Sequence, residues 1–323
     1  MRSAPDCQDG IVQAARGARL WTALVTVWLV WGSTYLGIAV AGETIPPLLG
    51  NAARFAAAAV ILTVVVAISQ GVRALRISRR ELLASTFMGC AMLGFSISIL
   101  ALAERYVPSG IAALVIAIVP LWVVLLRLTT GDRPGVATWA GVAVGLIGIV
   151  LIVLPGGTSP RSGSAGDVLL WTLLLVASSF TWAALSWSAP RLPLPRNALV
   201  TTIYEVSAAA LMLGVAGGLL GERVIVHQVS SNSLIALGWL TFASVAAYTA
   251  YTWLVTHAPM SLVSTYAFVN PAVAVLLGWL VLREAITSDV VLGLTFVLGG
   301  VVLVLVGEQR QAVPHETPAP TGT

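Results

Sequence analysis

Long stretches of this chain carry no Asp, Glu, Lys or Arg, and that constrains its fold more than any motif does. Leu20–Gly42, Leu82–Ala103, Tyr106–Leu126, Pro134–Pro160, Val168–Pro190 and Val290–Gly307 are free of charge. Each suits one membrane-spanning helix, which needs about 20 mostly apolar residues. Val224–Leu282 is free of charge for 59 residues, room for two helices divided near Thr256-His257-Ala258-Pro259. Two further apolar stretches hold one charge each, Pro47–Ile68 with Arg54 and Ala198–Leu220 with Glu205. Backbone at membrane depth must satisfy its own hydrogen bonds, and the stretches lack the alternation of barrel strands. The reading is an all-α polytopic membrane protein of ten transmembrane helices.

Composition agrees. Of the 323 residues 58% are hydrophobic and 9% charged, where a soluble domain carries roughly 25% charged. Mean hydropathy is +0.95. Aqueous enzymes, disordered chains and disulfide scaffolds drop out. All 17 basic residues are arginine, which excludes a Walker-type phosphate loop, a Schiff-base lysine and a pyridoxal phosphate site. The arginines are scattered through short loops, so nucleic acid is not an expected partner. Cys7 and Cys90 stand alone, and His227, His257 and His315 lack metal-ligand spacing. No cofactor is expected. Arg16 and Arg19 precede an apolar run too long for a signal peptide and without a clear cleavage site, so that run reads as the first span.

Orientation follows the arginines. With both termini cytoplasmic, 12 arginines lie inside and 4 outside, and the cluster Arg73–Arg80 decides the sign. The Pro- and Thr-rich residues 308–323 read as a disordered cytoplasmic tail, and residues 1–19 as a cytoplasmic N-terminal tail.

The chain also repeats itself. At one ungapped offset of 151 residues Trp31 falls on Trp182, Arg54 on Glu205, Pro108 on Pro259, Pro120 on Pro271 and Gly148 on Gly299. The turn Asp132-Arg133 falls on Arg283-Glu284. The repeats are residues 20–154 and 168–307, joined by an external linker, 155–167. Five spans per repeat is an odd number, so the second copy enters the membrane inverted. Two inverted five-helix repeats are the architecture of many secondary transporters, with the substrate site at the repeat interface.

Particular residues resemble a known family. Trp31-Gly32-Ser33-Thr34-Tyr35-Leu36, Glu43-Thr44-Ile45-Pro46-Pro47 and Ala53-Arg54-Phe55 resemble the opening of EamA-type members of the drug/metabolite transporter superfamily. Ala112-Ala113-Leu114 through Pro120-Leu121-Trp122 resembles that family's fourth helix, and Gly131-Asp132-Arg133 stands where the family usually has Gly-Glu. The resemblance implies a bacterial plasma-membrane exporter of small metabolites or toxic compounds. Members differ between amino acids, sugars, purines and drugs.

Candidate site residues follow from both readings. Pro120 and Pro271 each lie twelve residues after a proline that starts a helix, about 18 Å down it at ~1.5 Å per residue. Each frees a carbonyl, that of Ile116 or Ala267, as broken helices at transporter sites do. Asn270 is polar at the same depth. Arg54 and Glu205 are intramembrane charges, which cost about 2.5–3.5 kcal/mol at a helix centre unless partnered or wet. They read either as ion pairs, with each other or with Glu43 for Arg54 and Arg191 or Arg196 for Glu205, or as an anion attractor and a proton or cation acceptor. Trp31 and Tyr35, with Trp28, share one face of the first helix. Trp182, between Ser178 and Ser186, and Tyr248, between Ser244 and Tyr251, line others, as an aromatic cavity for amphipathic solutes would require. Gly141, Gly145, Gly148, Gly293, Gly299 and Gly300 give small helix faces for packing or for a homodimer. The expected partners are a small-molecule substrate, the lipid bilayer and protons as coupling ion. A channel and an intramembrane enzyme are the readings of another class; the chain has no HExxH or GxSxG.

Overall fold

A computed structural model of the chain describes residues 17–129, 131, 135–153, 162–258, 263 and 266–312. Cys7, Asp132, Arg133, Pro259 and His315 lie outside the described residues. Within them the chain is helical, without strands. Seven helices are long and apolar enough to cross a membrane: α1 (Gly17–Ala41), α2 (Pro47–Gln70), α3 (Arg79–Ala103), α4 (Ser109–Leu126), α6 (Ala165–Arg191), α7 (Ala198–Leu219) and α8 (Ser231–His257). Three more, α5 (Val136–Val153), α9 (Tyr266–Leu282) and α10 (Ser288–Ala312), contain shorter apolar stretches.

Local sequence sets the helix ends. α2 begins with Pro47 at its first turn, where a missing N–H does no harm. α3 and α6 start in capping boxes, Ser78 with Glu81 and Ser164 with Asp167, each pair satisfying two N–H groups reciprocally. Two other ends are capped by distant carboxylates. Glu284 accepts from the Ser109 N–H (3.0 Å) and hydroxyl at the start of α4. Glu222 accepts from the Leu48 and Leu49 N–H groups (3.3 and 2.9 Å) at the start of α2. Both acids stabilise the positive end of a helix dipole in the other half of the chain.

The helices pack across the two halves of the chain. α2 lies along α7, α4 along α9 and α5 along α10; α1 packs on α8 and α9, and α6 on α3 and α4. Large apolar side chains on the outer faces stay exposed, among them Ile68, Leu83, Leu170, Leu211 and Ile235. A continuous apolar exterior of this kind needs lipid rather than water around it.

The glycines of α5 and α10 mark the tightest approach. A Cβ on Gly300 would sit 2.5 Å from the Gly145 nitrogen and 2.6 Å from the Gly141 oxygen, and one on Gly148 would sit 2.7 Å from the Val297 nitrogen. These faces pack within the chain, leaving Gly299, with nothing within 4 Å of its Cβ position, on the open side. Gly300→Val is expected to destabilise the pair by about 1–3 kcal/mol, the range for overpacking. Gly299→Val serves as the control. Unfolding in detergent checks this, and equal losses for the two variants would reject the packing role.

Candidate functional site

Three helices of the first half, α1, α3 and α4, are irregular. α1 contains a π-helical turn at Val27–Trp31, and α3 another at Gly89–Phe95. A wide turn of this type displaces carbonyls from the regular ladder and commonly marks a site. α4 is interrupted: α-helix runs over Ser109–Ile116 and resumes at Val119, one residue before Pro120. α9 runs unbroken through Pro271. The two prolines, equivalent in sequence, thus act differently, and Pro120 breaks its helix where Pro271 does not. Asn270 stands next to Pro271. With its amide nitrogen turned toward them, it donates to the carbonyls of Trp28 (3.0 Å) and Tyr266 (3.3 Å), tying α9 to the π turn of α1.

Between these elements lies a cavity of about 70 Å³, walled by both halves of the chain. At ~10–15 Å³ per water, it has room for a few ordered molecules. Trp31, Tyr35, Arg54, Trp182, Tyr248 and Asn270 are on its wall. Pro120, Pro271 and Glu205 are not, although Ile116, whose carbonyl Pro120 frees, is. The sequence reading missed Tyr266, Ser96, Thr34 and Ile97, which also line it. Tyr266 stands one helical turn before Asn270 and was legible by that spacing; nothing in the local pattern marked Ser96, whose hydroxyl donates to the Ser178 carbonyl (3.2 Å).

The aromatic residues form a cluster around Trp31. Its ring lies 4.8 Å from that of Tyr251, 5.4 Å from Tyr248, 5.5 Å from Tyr266 and 5.6 Å from Trp182. On one side of this cluster the core is closed. Met92, Leu93, Leu185 and Leu254 are buried there, and Tyr251 donates to the Ser186 hydroxyl (3.0 Å). Ile38, on the cavity wall, also lines a wider vestibule of about 300 Å³ together with Glu43, Glu104, Arg105 and Ser162.

The two intramembrane charges occupy different surroundings. Arg54 is 2% exposed on the cavity wall, its guanidinium 4.6 Å from the centre of the Phe55 ring. Its Nε has no hydrogen-bond partner among the described residues. Glu205 is buried on α7 where Gly89 of α3 packs against its backbone. The ion pairs considered for them, with each other or with Glu43, Arg191 and Arg196, do not form among the described residues. Arg191 instead donates to the Trp187 carbonyl (2.7 Å) and lies over that ring. No group of three or more His, Cys, Asp or Glu that could hold a metal occurs among the described residues.

Comparison with known proteins gives a consistent picture. The profile of the "EamA-like transporter family" matches residues 20–154 and again residues 169–306. The chain is 33% identical over 291 residues to "Uncharacterized inner membrane transporter YedA" of Escherichia coli (strain K12), covering 90% of this chain and 91% of that protein. It is 28% identical over 258 residues to a "Probable terminal-alkyne amino-acid exporter" of Streptantibioticus cattleyicolor, covering 73% of this chain and 85% of the other. A solved crystal structure, 20% identical, superposes with a TM-score of 0.66 over 92% of this chain and 99% of that one, a likeness of fold.

Proposed function

Since the chain belongs to the EamA-like transporter family and is a multi-pass membrane transporter, we propose that it is a secondary carrier exporting small solutes through the central cavity by alternating access. The observation that carries this is the cavity itself, walled by aromatic, hydroxyl and amide groups from both halves. Few polar groups within apolar walls suit small amphipathic or amino-acid-like solutes, and an amino-acid exporter stands among the relatives.

In this reading α5, α9 and α10 cross the bilayer with the other seven helices, giving ten in two inverted repeats, 20–154 and 168–307. The helix contacts support it. A two-fold axis exchanging α1–α5 with α6–α10 would pair α1–α8 with α3–α6, α1–α9 with α4–α6, and α2–α8 with α3–α7, and would map α2–α7, α4–α9 and α5–α10 onto themselves. Every one of these contacts is present. The family profile also matches twice. Both termini are then cytoplasmic, and the vestibule beside Glu104 opens outward. Trp31, Tyr35, Arg54, Trp182, Tyr248 and Asn270 contact the solute; Pro120 and Pro271 shape the walls; Glu205 takes the coupling proton.

Counterflow in proteoliposomes tests the carrier against a channel. Liposomes preloaded with a candidate amino acid should draw in labelled solute transiently above equilibrium. Flux without trans-stimulation across a broad solute panel would point to a channel and reject the proposal.

A further inference from the structure

Among the described residues, Arg54 is the only charged side chain on the cavity wall. It is almost fully buried, and its Nε lacks an acceptor. An ionised guanidinium inside a bundle demands a counter-charge or hydrogen-bond acceptors. The protein supplies the Phe55 ring beneath it, which offsets only part of that demand. Of the nearby acids, Glu104 is within electrostatic reach but stands on the wall of the neighbouring vestibule, and Glu205 is absent from the wall. The guanidinium thus stands on the cavity wall with one buried N–H unsatisfied and no carboxylate on the same wall.

We propose that the cavity takes a small solute bearing a carboxylate, held by Arg54 while its apolar part lies against Trp31, Trp182 and Tyr248. A planar fork of N–H donors matches a carboxylate bidentately, a geometry that a lysine could not offer. The indole and phenol rings give the rest of the solute an apolar seat. The limited space favours a short body. A neutral solute would leave the guanidinium unmatched and a cationic one would be repelled, so the wall selects by charge before it selects by shape. This assignment rests on the carrier reading of the cavity and narrows it to a substrate class.

The test uses three probes with one branched carbon skeleton: isovalerate, isovaleramide and isoamylamine. Calorimetric titration of the full chain in detergent at neutral pH should show isovalerate binding and at least about tenfold weaker binding of the amide and the amine, the size of one charge-assisted hydrogen bond. Arg54→Gln should erase that preference, and Arg54→Lys should retain part of it. Binding of the amine or amide as tight as that of the acid, no binding of the acid, or an unchanged affinity in Arg54→Gln would overturn the proposal. The charge series on the unaltered protein decides even if the Arg54 variants fold poorly. Counterflow separates this from the carrier reading. Carboxylate binding without counterflow of any carboxylate tried would remove the carrier reading and leave the Arg54 site. Counterflow of an amine, unaltered in Arg54→Gln, would leave the carrier and remove the site.

Discussion

Trp31→Ala is expected to abolish transport and to destabilise the protein by about 3–5 kcal/mol, the range for emptying a large aromatic position in a core. Trp31 is 8% exposed, and its ring meets those of Tyr251, Tyr248, Tyr266 and Trp182, all within 5.6 Å centre to centre. Pairs of this kind contribute roughly 0.5–1.5 kcal/mol each beyond burial. In a bilayer, where lipid is as apolar as leucine, lost packing is not recovered by exposure to solvent. The four partners come from three other helices, α6, α8 and α9, so one truncation loosens the centre of the bundle. Trp31→Phe keeps part of the contact and should recover most of the stability. Unfolding in detergent and counterflow measure the two effects separately. A Trp31→Ala protein with the parent's unfolding midpoint would show that the cluster does not brace the bundle.

The helical, polytopic character of the chain was legible because a bilayer leaves so few options. Among the described residues the charge-free intervals fall mainly on helices; Leu82–Ala103 lies inside α3, for example, and Val168–Pro190 inside α6. The candidate site was legible in part. Trp31, Trp182 and Tyr248 announce themselves by helical spacing and by the internal repeat, and Arg54 by the cost of a charge at that depth. What the sequence concealed were contacts between distant segments. Glu222 and Glu284 look like ordinary loop acids, yet each caps a helix more than 170 residues away in sequence. Pro120 and Pro271 look equivalent at the 151-residue offset, yet only one breaks its helix. Their neighbours differ. Asn270 fastens α9 to the π turn of α1, and Val119, its counterpart one residue before Pro120, has no side-chain group that could do so.

Glu205→Gln is expected to remove the stimulation of transport by a pH gradient while leaving counterflow, which needs no driving ion, largely intact. The argument runs through the repeat. Shifted by 151 residues, the cavity-lining residues Tyr35, Leu100, Ala243, Ser244 and Thr34 become Ser186, Tyr251, Met92, Leu93 and Leu185. These five lie together in the closed part of the bundle beyond Trp31. Trp31 and Trp182 exchange with each other and stay at the centre. Under the two-fold relation, a cavity opening to the opposite side would be lined by that second set, and Arg54 would give way to Glu205 on its wall. Each charge would thus face the cavity in only one of the two states. A carboxylate presented to one compartment and withdrawn from the other is placed to take up a proton on one side and lose it on the other, and it would repel an anionic solute when ionised. State-dependent labelling checks the exchange. In a Cys90→Ser background with Cys7 also replaced, Ser186→Cys should react with a thiol reagent only when the cavity opens to the Arg76 side, and Thr34→Cys only when it opens to the Glu104 side. Equal labelling of both positions under all conditions, or a pH-gradient response unaltered in Glu205→Gln, would refute the exchange and with it the role of Glu205 as proton carrier.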